Sequence, residues 1–276
     1  MSRSANYQNP KFYWERRLED NFNLIGVGHA SLGSKYNSLI YKARVDALEK
    51  ALCTTGIKFQ EQKILEIGCG TGFFTGYCQI KNVNSYTGLD ITEISVRSLS
   101  EQFPGYRFFQ ADIGDSSLPL NEQFDNILIA DVLYHIVDDV RFATAISHVG
   151  NLLLPNGNLI LSDLITGDTY DTSEHCKWRS LANYRDLLSI NNMQVVHIEP
   201  IFSLLTPPPI MPNSSLAWKI YALIWRYAFL RVTHQHWFDD KFSAFLRKLD
   251  ENYFLRHAGI DTPNSKWLIA HKEYVG

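Results

Sequence analysis

The sequence predicts an α/β protein with a doubly wound, mostly parallel sheet. Three observations carry that expectation. Short apolar runs alternate with helical patterns from about residue 61 to 205. The first run, Lys63–Ile67, opens into a Gly-rich turn, Gly68-Cys69-Gly70-Thr71-Gly72. Acidic residues, Asp90 and Asp112, stand at the ends of the next two runs. Strands separated by helix-length segments imply parallel βαβ units. Ligands of such sheets bind outside the carboxyl ends of the strands.

The elements follow in chain order. The first 60 or so residues are rich in aromatics and read as helices. Tyr36, Leu39, Ile40, Ala43, Ala47 and Leu48 recur at helical spacing up to Leu52, and Gly56 stops the helix. The segment Gly26-Val27-Gly28-His29 to Gly33 has no strand before it and reads as a flexible connection. Strands are expected at Lys63–Ile67, Ser85–Asp90, Arg107–Ala111, Phe124–Ala130, Asn158–Asp163 and Gln194–Ser203, with a helical pattern over Thr92–Phe103. The run Thr206-Pro207-Pro208-Pro209 is punctuation, because proline fits neither helix interior nor central strand. Helical patterns over Leu216–Val232 and Phe238–His257 follow, then a last strand, Lys266–His271. The first of these helices is very apolar, yet Lys219, Arg226 and Arg231 interrupt it, so it is not expected to span a bilayer. It is expected in the protein's own core, in a homodimer, over the substrate pocket or on a membrane surface.

Composition narrows the function classes. Of 276 residues, 45% are hydrophobic and 20% charged, which suits a globular chain and excludes a disordered one. A net charge of −3 argues against nucleic-acid binding by bulk charge. Met1–Arg17 has no apolar signal-peptide core. Cys53, Cys69, Cys78 and Cys176 form no C-x-x-C pair, so neither a zinc site nor a disulfide framework is expected. A reducing cytoplasm is the expected compartment.

The chemistry concentrates at the strand ends. The turn is G-x-G-x-G, and Phe73 stands where a dinucleotide fingerprint needs its third glycine. Glu66, two residues before Gly68, would oppose a pyrophosphate and suits a ligand with a cationic group. Asp90, 18 residues after Gly72, can accept both hydroxyls of an adenosine ribose. Asp112 and Ile113 end the third strand, where a carboxylate can accept from an adenine amino group beside an apolar neighbour. The fourth strand runs through Ala130 and Asp131 toward His135, and Leu153-Leu-Pro-Asn-Gly157 reads as a turn into the fifth.

This ordered set resembles the class I S-adenosylmethionine-dependent methyltransferases of small-molecule type. The resemblance implies a Rossmann-like, seven-stranded sheet whose last strand, Lys266–His271, is antiparallel and lies beside the fifth. It implies an N-terminal helical cap (1–60), a cofactor-binding core (61–205), and a helical insertion with the final strand (206–276) completing the same domain. S-adenosyl-L-methionine is the implied cofactor. Glu66, Gly68, Cys69, Gly70 and Gly72 would hold its methionine end, Asp90 the ribose, Ile91 the adenine face, and Asp112 and Ile113 the adenine edge. Ala130 and Asp131 would face the methyl-transfer site, and Tyr13, Trp14 and Tyr41 are candidates for the cap.

The fourth strand ends Ala130-Asp131-Val132-Leu133, without the Asn/Asp-Pro-Pro-aromatic motif of base methylases, so no nucleic-acid substrate is expected. No acidic triad suggests a metal. A hydroxyl on a small or medium-sized, partly apolar acceptor is expected: a natural product, a sugar or a lipid-linked intermediate. Amine and carbon acceptors remain open, as does a non-catalytic module that keeps the fold. A hydroxyl needs a base, for which His175 stands first, in a segment whose other reading is a solvated helix start. His135 stands second, with Asp131 to orient it. His234 and His236 are expected at the surface.

Overall fold

The computed structural model describes residues 9–205, 208, 215–235, 237–238, 240–257 and 264–273. Three helices open the chain: α1 (Pro10–Asp20), α2 (Leu24–Val27) and α3 (Ser34–Thr55). Asn9 caps α1 by accepting from Phe12 N at 3.1 Å, with proline at the first helical position. Gly56, at φ 70°, ends α3 in the left-handed conformation.

The core then alternates: β1 (Lys63–Ile67), α4 (Phe73–Ile80), β2 (Ser85–Asp90), α5 (Glu93–Gln102), β3 (Arg107–Gln110), β4 (Phe124–Ala130), α6 (Asp139–Leu152) and β5 (Leu153–Thr166). After it come β6 (Tyr170–Ser173), β7 (Cys176–Ser180), α7 (Leu181–Ile190), β8 (Met193–Pro200), α8 (Leu216–Val232), α9 (Asp240–Leu249) and β9 (Asn264–Lys272).

Seven strands lie in the order β3-β2-β1-β4-β5-β9-β8. β1 to β5 are parallel, and β9 enters antiparallel between β5 and β8, with Leu161 opposite Leu268. The expected sheet is therefore present. Its strands read as continuous apolar runs because both faces are covered. Leu65, Ile127 and Leu161 point to one core, Ile64, Leu128 and Ile160 to the other.

Two corrections concern local structure. The polar segment after β5 is no helix start but a hairpin, β6 and β7, with Tyr170 opposite Trp178, joined to β5 through Ile165–Arg179 and Thr166–Ser180. The segment 26–33 is pinned. The Asn37 side chain accepts from His29 N at 2.8 Å and donates to the carbonyls of His29, Leu32 and Gly33. A Cβ on Gly28 would stand 2.2 Å from Asn37 Oδ1, so the glycine is what lets the loop close on that amide.

Helix α8 packs on the far side of α3. Trp225 stacks on Phe229, its ring 4.1 Å away, and donates Nε1–H to Leu204 O at 2.6 Å. Phe229 in turn meets the Tyr36 ring at 6.0 Å. The opposite face carries Ile220, Leu223, Ile224 and Tyr227, all exposed. No described residue of the insertion lines the main cavity, so its described part does not wall that pocket. Its packing explains why: Tyr36 and Trp225 turn it toward the outside of α3. The Trp218 side chain and His236 lie outside the described residues, and His234 is exposed.

Trp225→Ala is expected to lower unfolding stability by about 3–5 kcal/mol, the usual cost of truncating a buried tryptophan. Urea titration measures it; a change under 1 kcal/mol would mean that the helix is loosely held.

Candidate active site

A cavity of about 1200 Å³ opens at the carboxyl ends of β1, β2, β3 and β4. Pockets for one small ligand hold roughly 300–1,000 Å³, so this one has room for two. Its floor is the turn after β1. Gly68, Gly70 and Gly72 stand at φ 77°, 50° and 82°, which only glycine adopts readily. A Cβ on Gly68 would meet Val132 Cγ2 at 2.3 Å, and one on Gly70 would meet Val27 Cγ1 at 3.0 Å. Gly72 differs: it does not line the cavity, and its missing Cβ makes room for Leu99 Cδ2 at 2.5 Å. It serves the packing of α4 on α5 rather than ligand contact.

Two carboxylates flank the turn. Glu66 is 2% exposed, accepts from Thr75 Oγ1 at 3.1 Å and from the Tyr86 hydroxyl, and lines the cavity. Burial pushes its pKa up to about 8, against the opposing pull of those hydrogen bonds. Asp90 accepts from Gly70 N at 2.8 Å through one oxygen and from Thr92 N and Oγ1, at 2.9 and 2.7 Å, through the other. Burial raises its pKa too, opposed by the bonds from Thr92 and Gly70. Cys69 lies on the same wall, and burial pushes its thiol well up, so it is no nucleophile.

Beyond β2 and β3 the wall continues through Ile91, Gln110, Asp112 and Ile113. Asp112 accepts from Gly114 N at 2.8 Å and pairs with Arg141 at 2.7 Å. The cap closes the other side. Trp14, Leu18, Val27 and Tyr41 line the cavity; Tyr13 does not, and instead accepts from Arg17 at 3.1 Å. Helix α1 is latched across the mouth by Glu15, whose two carboxylate oxygens each accept at 2.8 Å from Glu93 N and Ile94 N, the free donors at the start of α5.

The expected catalytic residues separate. Ala130, Asp131 and His135 lie on the wall. His175 sits in the β6–β7 turn and is not among the lining residues. His135 Nδ1–H donates to His175 O at 2.8 Å, which makes Nε2 the acceptor nitrogen. Trp14 meets the His135 ring edge-on at 4.9 Å. Burial lowers the His135 pKa to about 4, and burial lowers His175 as well. Asp131 does not orient His135: its carboxylate pairs with Arg44 at 2.5 Å and accepts from Ser162 Oγ at 3.2 Å. Arg44, Val27, Gln110 and Arg141 were not among the expected residues.

The donor set suits S-adenosylmethionine. Buried acids answer its cationic and hydroxyl groups, glycines leave room at the turn, and Ile91 and Ile113 give apolar faces. Comparison with known proteins agrees. Residues 65–159 match the family model described as Methyltransferase domain. An uncharacterized methyltransferase of Mycobacterium bovis is 32% identical over 123 residues, 44% of this chain and 58% of the relative. The juvenile hormone acid O-methyltransferase of Bombyx mori is 28% identical over 172 residues, 58% of this chain and 60% of that protein. The chain thus spans less than two thirds of these relatives. Among solved structures, an S-adenosylmethionine-dependent methyltransferase of Mesorhizobium loti superposes with TM-score 0.52 at 17% identity, covering 82% of this chain and 98% of that one. The 1,6-didemethyltoxoflavin-N1-methyltransferase of Burkholderia thailandensis, solved with S-adenosylhomocysteine, gives 0.52 at 15% identity, covering 84% and 79%. These two likenesses are of fold.

Glu66 carries a signature in stability. Its pKa moves from 4.5 to about 8 on folding, so between those values the folded chain holds a proton that the unfolded chain lacks. Its contribution therefore falls as pH rises through that window. Glu66→Gln should gain on the wild type in urea midpoint from pH 5 to pH 9. A gap that is the same at both ends would mean that Glu66 ionises normally.

Proposed function

We propose that this chain is a class I S-adenosylmethionine-dependent methyltransferase and that it methylates an oxygen of a small or medium-sized, partly apolar acceptor. The observation that carries the reading is the pairing of two buried carboxylates, Glu66 and Asp90, around a glycine turn in a cavity with room for two ligands. Asp90 would take the ribose hydroxyls, Ile91 and Ile113 the adenine, and Glu66, Gly68 and Gly70 the amino-acid end. When bound, the cofactor supplies a methyl group already activated on a sulfonium.

The chain then has to align the acceptor, exclude water and take up a proton. Trp14, Leu18, Val27 and Tyr41 cover the site with mostly apolar surface. His135 is the group for the proton. Its Nδ1–H is fixed on a backbone carbonyl, so Nε2 can accept. Burial keeps it neutral through the physiological range while weakening it as a base. The oxygen chemistry in the name of the Bombyx mori relative supports the choice of atom.

A panel of hydroxylated acceptors with S-adenosylmethionine, read by mass spectrometry for one added CH2, tests the reading. Failure of correctly folded protein to bind S-adenosylhomocysteine would sink it.

Asp90→Ala is expected to weaken S-adenosylhomocysteine binding by about 1–3 kcal/mol in calorimetry, the cost of hydrogen bonds to a charged group. Unchanged affinity would remove Asp90 from the ribose site. His135→Ala should keep that affinity and lose roughly 10²–10⁴-fold in turnover. His175→Ala should stay near normal, because the carbonyl that holds His135 survives the change. The reverse pattern would return the role to His175.

A further inference from the structure

Helix α8, Leu216–Val232, carries two apolar stripes on opposite faces. One holds Ala222, Trp225 and Phe229 and packs inward, with Ala222 and Trp225 each 4% exposed. The other runs through Leu216, Ile220, Leu223, Ile224, Tyr227 and Leu230, which are 38% to 75% exposed. At 3.6 residues per turn these six fall within about 120° of the helix circumference. That is the width of stripe that a surface helix ordinarily turns toward its core. Monomeric proteins rarely leave a contiguous apolar patch of this extent in water.

The charge on that face has one sign. Lys219 and Arg226 flank the stripe on one side. Arg231 lies within its other side, its guanidinium carbon 4.2 Å from the centre of the Tyr227 ring. Arg226 and Arg231 are exposed and Lys219 is half-buried. The helix contains no Asp or Glu. The whole chain carries −3, so this positive charge is local to α8. From Arg226 round to Ala228, exposed positions reach over about 200° of the helix. The helix therefore stands out as a ridge with an apolar crest and basic margins.

We propose that α8 docks the protein on a bilayer surface rich in anionic lipid, with its exposed stripe seated in the headgroup layer. It lies on the bilayer rather than through it: it has 17 residues, and no described helix is long and apolar enough to cross a membrane. The stripe enters the boundary between headgroups and acyl chains. Lys219, Arg226 and Arg231 reach lipid phosphates from it along their aliphatic stems. The same features disfavour the other occupants of such a face. A second copy docked through it would set these cations against themselves, with no acid on the helix to answer them. A groove in an acidic protein would have to wrap more than half of the helix, whereas a fluid headgroup layer needs no matching shape. The inference goes beyond the proposed reaction and does not rest on it, since no described residue of α8 lines the cavity.

The test is flotation of the full chain with two kinds of vesicle. One is phosphatidylcholine alone; the other is phosphatidylcholine with one third phosphatidylglycerol. Three cations close to an anionic surface are worth up to roughly 10²-fold in partition, so at least a tenfold preference for the anionic vesicles is expected. Raising the salt to about 0.5 M should remove most of it. Leu223→Ser combined with Ile224→Ser should lower binding to the anionic vesicles at least tenfold. Arg226→Gln combined with Arg231→Gln should abolish the preference between the two kinds. All four positions are exposed, and circular dichroism checks that the variants keep the wild-type fold. Should the serine pair fail to fold, the glutamine pair and the salt series decide. No binding to anionic vesicles, equal partition into both kinds, or binding that survives the serine pair overturns the inference. Sedimentation velocity on the same samples reads the rival occupant. A dimer that the serine pair dissolves, without vesicle binding, gives the face to a second copy and overturns the lipid assignment.

Discussion

The site depends on how two acids are kept in a place that ought to reject them. Glu66 and Asp90 are nearly closed to water at the ends of adjacent parallel strands. Parallel pairing sets both strand ends at one level, so the turn after β1 must pass directly over β2. Asp90 makes that turn possible by accepting from Gly70 N, and the turn in exchange shields Asp90. Glu66 is held from below by Tyr86, on β2, and Thr75, on α4. Strand, turn and helix therefore share one polar network, and the network fixes where the glycines face the cavity. Networks of this kind rigidify when every member is satisfied, which is the condition for a precise binding surface.

Much of this was legible in the sequence because the signals are local. A central parallel strand is apolar at every position, and the glycines and acids sit within a few residues of its end. The parallel βαβ core followed from those signals, and the antiparallel β9 beside β5 followed from the family resemblance they carry. What escaped was decided by distant partners. Loop 26–33 looks flexible until Asn37, on the following helix, is seen to hold three of its carbonyls. Hairpin β6–β7 is polar and largely exposed on β6, so it carries no burial pattern to read. Arg44 looks like any polar position on an amphipathic helix, because its partner Asp131 is 87 residues away. The choice between His135 and His175 had the same cause: both leave the sheet at the right end, and only the fold says which ring reaches the wall.

The cap is tied to the core by a shared apolar cluster and by specific polar contacts. Trp267 donates to Arg44 O at 2.9 Å, fixing α3 on the last strand. Val27 meets the glycine turn, so the second helix is seated by the shape of the cofactor loop itself. Cap and core are thus mutually templated, and the cavity is built by different parts of the chain: the acids by the sheet, the apolar cover by the helices before it.

The latch made by Glu15 separates loosening of the cap from unfolding of the core. Helix α1 crosses the mouth, and its hold on α5 is a pair of charge-assisted hydrogen bonds at a partly accessible helix start. Bonds of that kind break locally without unfolding the sheet. Release of two backbone amides by this one carboxylate is thus enough to loosen α1 over the cavity while the strands and the glycine turn keep their places.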